Sequence, residues 1–182
     1  MSTVDYYPVV ALSCGLMATV DARPAAIAPI AYIFKTNDGL IRQTLSDLPA
    51  DALWKQPAGG GNSIMWIVGH ITQTRAGMLS LLGDRASTGW GELFRRGAQK
   101  QDASAYPEPQ AIKAKGIELT KQLQAKLAAM TEEELAAPVT AVKLPNVNTV
   151  VEALAFFAFH EAYHVGQLGY VKKALGYTPI AG

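Results

Sequence analysis

The sequence predicts an all-α protein: a four-helix bundle in up-down-down-up order, with a long crossover between helices 2 and 3 and an N-terminal apolar arm ahead of it. Three observations predict this. Four stretches repeat apolar side chains at the three-and-four spacing of one helical stripe. The connection between the second and third stretches is far longer than antiparallel neighbours need. With 182 residues, 49% of them hydrophobic and a single cysteine, one core must be held by packing rather than by disulfides.

The arm comes first. Residues 6–20 carry no charge, yet fifteen residues are too few to cross a bilayer and Asp5 stands where an export signal carries Lys or Arg. A cytoplasmic chain is therefore expected, with residues 1–23 lying on the bundle or on a second subunit and residues 24–182 forming the domain. Cys14, inside the arm, reads as a small apolar side chain.

The first stretch runs from about Pro24 to Asp47, with Ile30, Ile33, Phe34, Asn37, Leu40, Ile41 and Leu45 on its inner face. The second follows the Gly59-Gly60-Gly61 breaker, with Asn62 as N-cap and Ile64, Ile67, Ile71, Thr74, Met78 and Leu82 facing inward until Gly83. Pro107 and Pro109 suit the first turn of the third, whose stripe is Ile112, Gly116, Leu119, Leu123, Leu127 and Met130. Asn148 or Thr149 caps the fourth, which carries Val150, Leu154, Phe157, His164, Leu168, Val171 and Leu175 to a stop at Gly176. Residues 83–106 form the long connection; a chain returning along a helix of ~30 Å needs about ten extended residues, so this link can cross over and leave helices 2 and 3 parallel. The other two links hold short acidic helical candidates, Leu48 to Trp54 and Thr131 to Ala136.

Charge narrows the function. Sixteen basic against fifteen acidic side chains leave a net charge of +1, with no basic excess for nucleic acid or an anionic membrane. The chemistry concentrates in three histidines, His70, His160 and His164. His160 and His164 stand one turn apart, about 40° around the helix, so both imidazoles can reach one ion. His70 sits midway along the second stretch, between Trp66 and Thr74, where it can face the fourth. A buried imidazole needs its own polar partner, and three of them on apolar faces are hard to explain by packing. Three neutral imidazoles suit Zn, Ni, Cu or Fe(II), and an open position for water makes such a site catalytic in type.

His160-Glu161-Ala162-Tyr163-His164 also spells H-E-x-x-H, the helix of zinc peptidases. Those enzymes take a third ligand downstream, and residues 165–182 contain no His, Asp or Glu. The peptidase pattern cannot be completed.

GNSIMWIVGHI, followed some ninety residues later by FHEAYHVGQLGYVKKALG, resembles the DinB-like (DinB/YfiT-like) superfamily of metal-binding four-helix bundles, from about residue 25 onward. The resemblance implies that His70, His160 and His164 hold a divalent ion, Zn or Ni first and Fe or Mn as alternatives, with water completing the shell. It also implies the up-down-down-up order argued from linker length. Characterised members include transferases and isomerases dependent on low-molecular-weight thiols, in which the metal holds the thiolate; the arm is a departure from the family pattern.

Around the ligands, Glu161 is the catalytic candidate: it lies about 60° from His164 and could take a proton from a metal-bound water or thiol, or hold an imidazole N–H. Trp66 and Gln167 are the candidates to line a cofactor pocket, Trp66 otherwise packing the core and Gln167 otherwise bonding a neighbouring helix. Arg75, Arg95 and Arg96 either meet a substrate carboxylate or are solvated on the surface, and Phe156, Phe159 and Phe157 fill core and interface. The leading expectation is thus a metal-dependent thiol transferase or hydrolase acting on a small molecule, as a homodimer. The alternatives are a non-catalytic metal-binding stress-response protein and a metal-free interaction module.

Overall fold

The computed structural model describes residues 24–139 and 146–180; the apolar arm, residues 1–23, and Cys14 with it, lie outside them. Four long helices dominate: α1 (Ile27–Ser46), α2 (Ile64–Leu81), α4 (Pro109–Ala129) and α6 (Val150–Ala174), joined by the short helices α3 (Gly91–Phe94) and α5 (Glu132–Ala136). No strand lies among the described residues; an isolated bridge pairs Pro138 with Thr149.

The ends of the helices follow local chemistry. Ser63, one residue beyond the Asn62 expected, caps α2 by accepting a hydrogen bond from the Trp66 N–H at 3.2 Å. α4 starts at Pro109, whose missing N–H costs nothing in a first turn. On α6 the capping box is complete: Thr149 accepts from the Glu152 N–H, and the Glu152 carboxylate accepts from the Thr149 N–H at 3.0 Å. Lys172 and Lys173 occupy the negative end of its dipole, and Gly176 turns the chain away at φ 87°. Of the two acidic link candidates, the second forms α5 and the first forms only a 3₁₀ turn, Ala50–Ala52.

The two halves of the core give the direction of every helix. One half joins Ile41 of α1, Ile64, Ile67 and Ile71 of α2, Ile112 of α4, and Val165, Leu168 and Val171 of α6. The other joins Ile27, Ile30 and Phe34, then Met78 and Leu79, then Leu119, Leu123 and Leu127, then Leu154 and Ala158. α1 and α6 therefore run one way, and α2 and α4 the other. That is the up-down-down-up order, with the link between Leu81 and Pro109 as the crossover. Lys172, buried except for 2% of its surface, donates from Nζ to Asp47 Oδ2 at 2.7 Å and fastens the end of α6 to the end of α1.

Gly69 shows how tightly the crossover is held. A Cβ there would stand 2.3 Å from the ring of Phe94, so only glycine lets that fully buried ring lie on α2. Phe94 in turn brings its backbone carbonyl to the middle of the bundle.

Candidate metal centre

α2 carries His70 and α6 carries His160 and His164 to one point between the two helices. One nitrogen of each ring lies within 4.8 Å of the other two. His160 Nε2 stands 3.4 Å from His70 Nε2 and 3.2 Å from His164 Nε2. The outer nitrogens of two rings are already engaged. His70 Nδ1–H donates to the Phe94 carbonyl at 2.6 Å, and His164 Nδ1–H donates to Gln167 Oε1 at 2.7 Å. With those protons on Nδ1, the Nε2 atoms of His70 and His164 are bare lone pairs turned toward His160.

Protonation does not relieve that convergence at neutral pH. Burial, then the neighbouring His164 and His70, pushes His160 down to about 4. Burial also lowers His70, partly offset by its bond to Phe94, and lowers His164, partly offset by Gln167. The Nε2 lone pairs of His70 and His164 thus both face His160 Nε2, an arrangement a cation satisfies. Two nitrogens at 2.0 to 2.1 Å from a tetrahedral ion stand about 3.3 Å apart, which the observed separations match, so the residues fit a divalent transition metal. His160 Nδ1 is buried without a hydrogen-bond partner among the described residues, so two of the three rings are oriented by an outer bond.

The cluster opens into a cavity of about 450 Å³ lined by Asn62, Trp66, His70, Arg96, Gly97, His160, Tyr163, His164 and Gln167. The structure therefore brings Trp66 and Gln167 to the histidines, as wall and as imidazole partner respectively. The Trp66 ring stacks on His70 with centroids 5.4 Å apart and planes inclined by 6°. Among the described residues, Arg96 is the only charged side chain in this lining.

Glu161 corrects the expectation. Its carboxylate turns away from the cavity, 3% exposed, and both oxygens accept from Arg75, Nε to Oε2 and Nη2 to Oε1, each at 2.8 Å. A carboxylate so engaged is not free to accept a proton from a group bound at the histidines, nor does it hold an imidazole N–H. Arg75 is corrected with it: expected on the surface or at a substrate, it is 3% exposed in the core. Its Nη1 donates to Asp38 Oδ1 at 3.2 Å and to Thr120 Oγ1, and Thr120 donates to Asp38 at 2.9 Å. Burial alone would lower the Arg75 pKa, but Glu161 and Asp38 more than compensate and raise it. The signal was present: Arg75 follows Ile71 by one turn on the inner face of α2. Arg95 pairs with Glu92 on the surface, and Phe159, expected as filler, is 67% exposed.

Comparison with known proteins agrees with this architecture. The family model described as the DinB superfamily matches residues 34–168. No curated protein matches the sequence. Among solved structures, the chain is similar to YfiT from Bacillus subtilis, described as a probable metal-dependent hydrolase with an unusual four-helix bundle topology. That likeness has a TM-score of 0.64 and 14% identity, covering 96% of this chain and 95% of the other. A conserved protein from Enterococcus faecalis gives a TM-score of 0.62 and 16% identity, covering 81% of this chain and 96% of that one. At such identities the likeness is one of fold. No described helix is long and apolar enough to cross a membrane.

Proposed function

We propose, for a chain that belongs to the DinB superfamily, that His70, His160 and His164 hold one divalent transition metal, with Zn or Ni the best suited, and that the protein is a metal-dependent enzyme acting on a small molecule. One observation carries this reading. Three imidazole nitrogens converge, two of them locked as acceptors by Phe94 and Gln167, at the floor of an open cavity. A divalent ion held by neutral ligands keeps its full charge and, when bound, lowers the pKa of a water to about 7 or binds a thiol as thiolate.

The chain's own residues set the rest. Phe94 and Gln167 fix which nitrogen faces inward, and Trp66 holds the His70 ring flat. Arg96 offers a positive charge to an anionic substrate group. No carboxylate lines the cavity among the described residues, so the proton lost by a nucleophile passes to solvent or to the leaving group. We favour hydrolysis, or thiol transfer to a small electrophile, over peptide cleavage. A homodimer finds support in Phe159, Tyr163 and Tyr170, exposed along one stripe of α6.

The test is turnover. Metal-loaded protein is assayed against small esters, amides and lactones in water, against electrophiles with a low-molecular-weight thiol, and against casein. Hydrolysis or conjugation abolished by chelation and by His164→Ala supports the reading. Casein cleavage abolished by His160→Ala, or no turnover in any assay, refutes it.

A further inference from the structure

The histidines lie between α2 and α6. Where α2 faces α1 and α4 instead, the bundle holds a separate cavity of about 240 Å³, which shares no lining residue with the histidine cavity. Its origin is local. In one half of the bundle, Ile27, Ile30 and Phe34 of α1 pack in one cluster with Leu119, Leu123 and Leu127 of α4. In the other half the stripe of α4 runs from Leu119 back to Ile112 through Gly116, which has no side chain to set against α1. Glycine there lets α4 lie close to α2, since a Cβ would stand 3.3 Å from Thr72 Oγ1, and the space beside Ile41 and Leu45 of α1 is left unfilled.

The lining combines two chemistries. Ile41, Leu45, Val68, Ile71, Ile112 and Ile117 make it mainly apolar, and the exposed Ile117 marks where it opens to solvent. Its charged residues are Asp38, Arg42, Arg75 and Lys113. Asp38 is fully engaged: Oδ1 accepts from Arg75 and Thr120, and Oδ2 pairs with Arg42 Nη2 at 3.0 Å. Arg75 gives two further donors to Glu161, outside the lining. Counting Glu161, three positive charges face two negative ones, so one positive charge is left in excess. Arg75 and Asp38 are buried, whereas Arg42 is exposed and Lys113 half-buried, so the excess charge stands at the mouth. A guanidinium with one nitrogen on Asp38 still has other N–H groups to donate.

We propose that this cavity binds a small apolar carboxylic acid, with its hydrocarbon part among the isoleucines and its carboxylate at Arg42 and Lys113. An apolar cavity of about 150 Å³ already takes benzene, so this one has room for a ring or a short alkyl chain. A neutral hydrocarbon would leave the positive mouth unmatched, and a small inorganic anion would leave the apolar walls unmatched. One molecule carrying both groups meets both, as apolar pockets with a few placed polar groups do. The site stands apart from the histidines and does not depend on their holding a metal.

Four isoleucines in the lining supply the readout. The full chain, carrying isotopically labelled isoleucine methyl groups, is titrated near neutral pH with octanoate, octanol, octylamine and acetate, each with metal present and after chelation. Octanoate is expected to shift the methyls of Ile71, Ile112 and Ile117 saturably, alike with and without metal, while Ile27 and Ile30 in the other half of the core stay in place. In Arg42→Gln/Lys113→Gln, octanoate affinity should fall about tenfold or more and octanol affinity should not change. Both side chains reach solvent, so that variant is expected to fold, and unchanged octanol binding reports that its cavity is intact. No saturable shift with octanoate, binding of octanol, octylamine or acetate as tight as that of octanoate, or a double variant that weakens octanoate no more than octanol overturns the proposal.

Discussion

At the scale of single residues, the candidate centre depends on side chains that never touch a metal. Gly69→Ala should push Phe94 off α2 and withdraw the carbonyl that orients His70. Loss of such an outer partner lowers metal affinity by about 10- to 100-fold, to be read by competition with a chromophoric chelator. An affinity equal to that of the unsubstituted protein would show that Phe94 does not set the ring. Arg75→Met leaves the Glu161 carboxylate buried without its partner, and urea unfolding should show a loss of about 3 to 5 kcal/mol. A near-neutral result would mean that water reaches the pair. The three histidines were legible because helical spacing alone puts His160 beside His164. The role of Glu161 was not: spacing put it on the core side of α6, but which atom it meets depends on Arg75 arriving from α2.

At the scale of elements, the histidines join α2 to α6, two helices also coupled by apolar packing and by the Arg75–Glu161 ion pair. A metal bound there stabilises only the folded arrangement. Metal at about a thousandfold above its Kd should raise the melting temperature by roughly 10 °C, and exhaustive chelation should reverse this in a thermal scan. Unchanged melting with the ion removed would place the metal elsewhere. In metal-free protein the sign of the pH response follows from the lowered histidine pKa values. The unfolded chain binds protons near 6.5 and folded His160 only near 4, so stability is full above about 6.5 and falls as pH drops toward 4. Urea midpoints across that range check it; a midpoint that rises on acidification contradicts it. Helix existence was readable from periodicity, and the crossover from its length. The exact caps were less so: Asn62 and Ser63 are both good caps, and only the backbone of α2 chooses Ser63.

At the scale of the whole molecule, the up-down-down-up order follows from the sequence because the crossover is long enough to run back along a helix, and the two core clusters bear it out. The histidine cavity was not legible, since the crossover residues Arg96 and Gly97 reach it through a path with no periodicity to read. Self-association belongs to this scale as well. Sedimentation should give a dimer, weakened by Phe159→Ser with Tyr170→Ser, both positions being exposed on α6; a monomer throughout would refute it. One metal held by three histidines from two helices is checked by elemental analysis after extensive dialysis. About one equivalent of divalent transition metal is expected in the unsubstituted protein and none in the His70→Ala/His160→Ala/His164→Ala variant, whereas full occupancy in that variant would show that the histidines do not hold the ion.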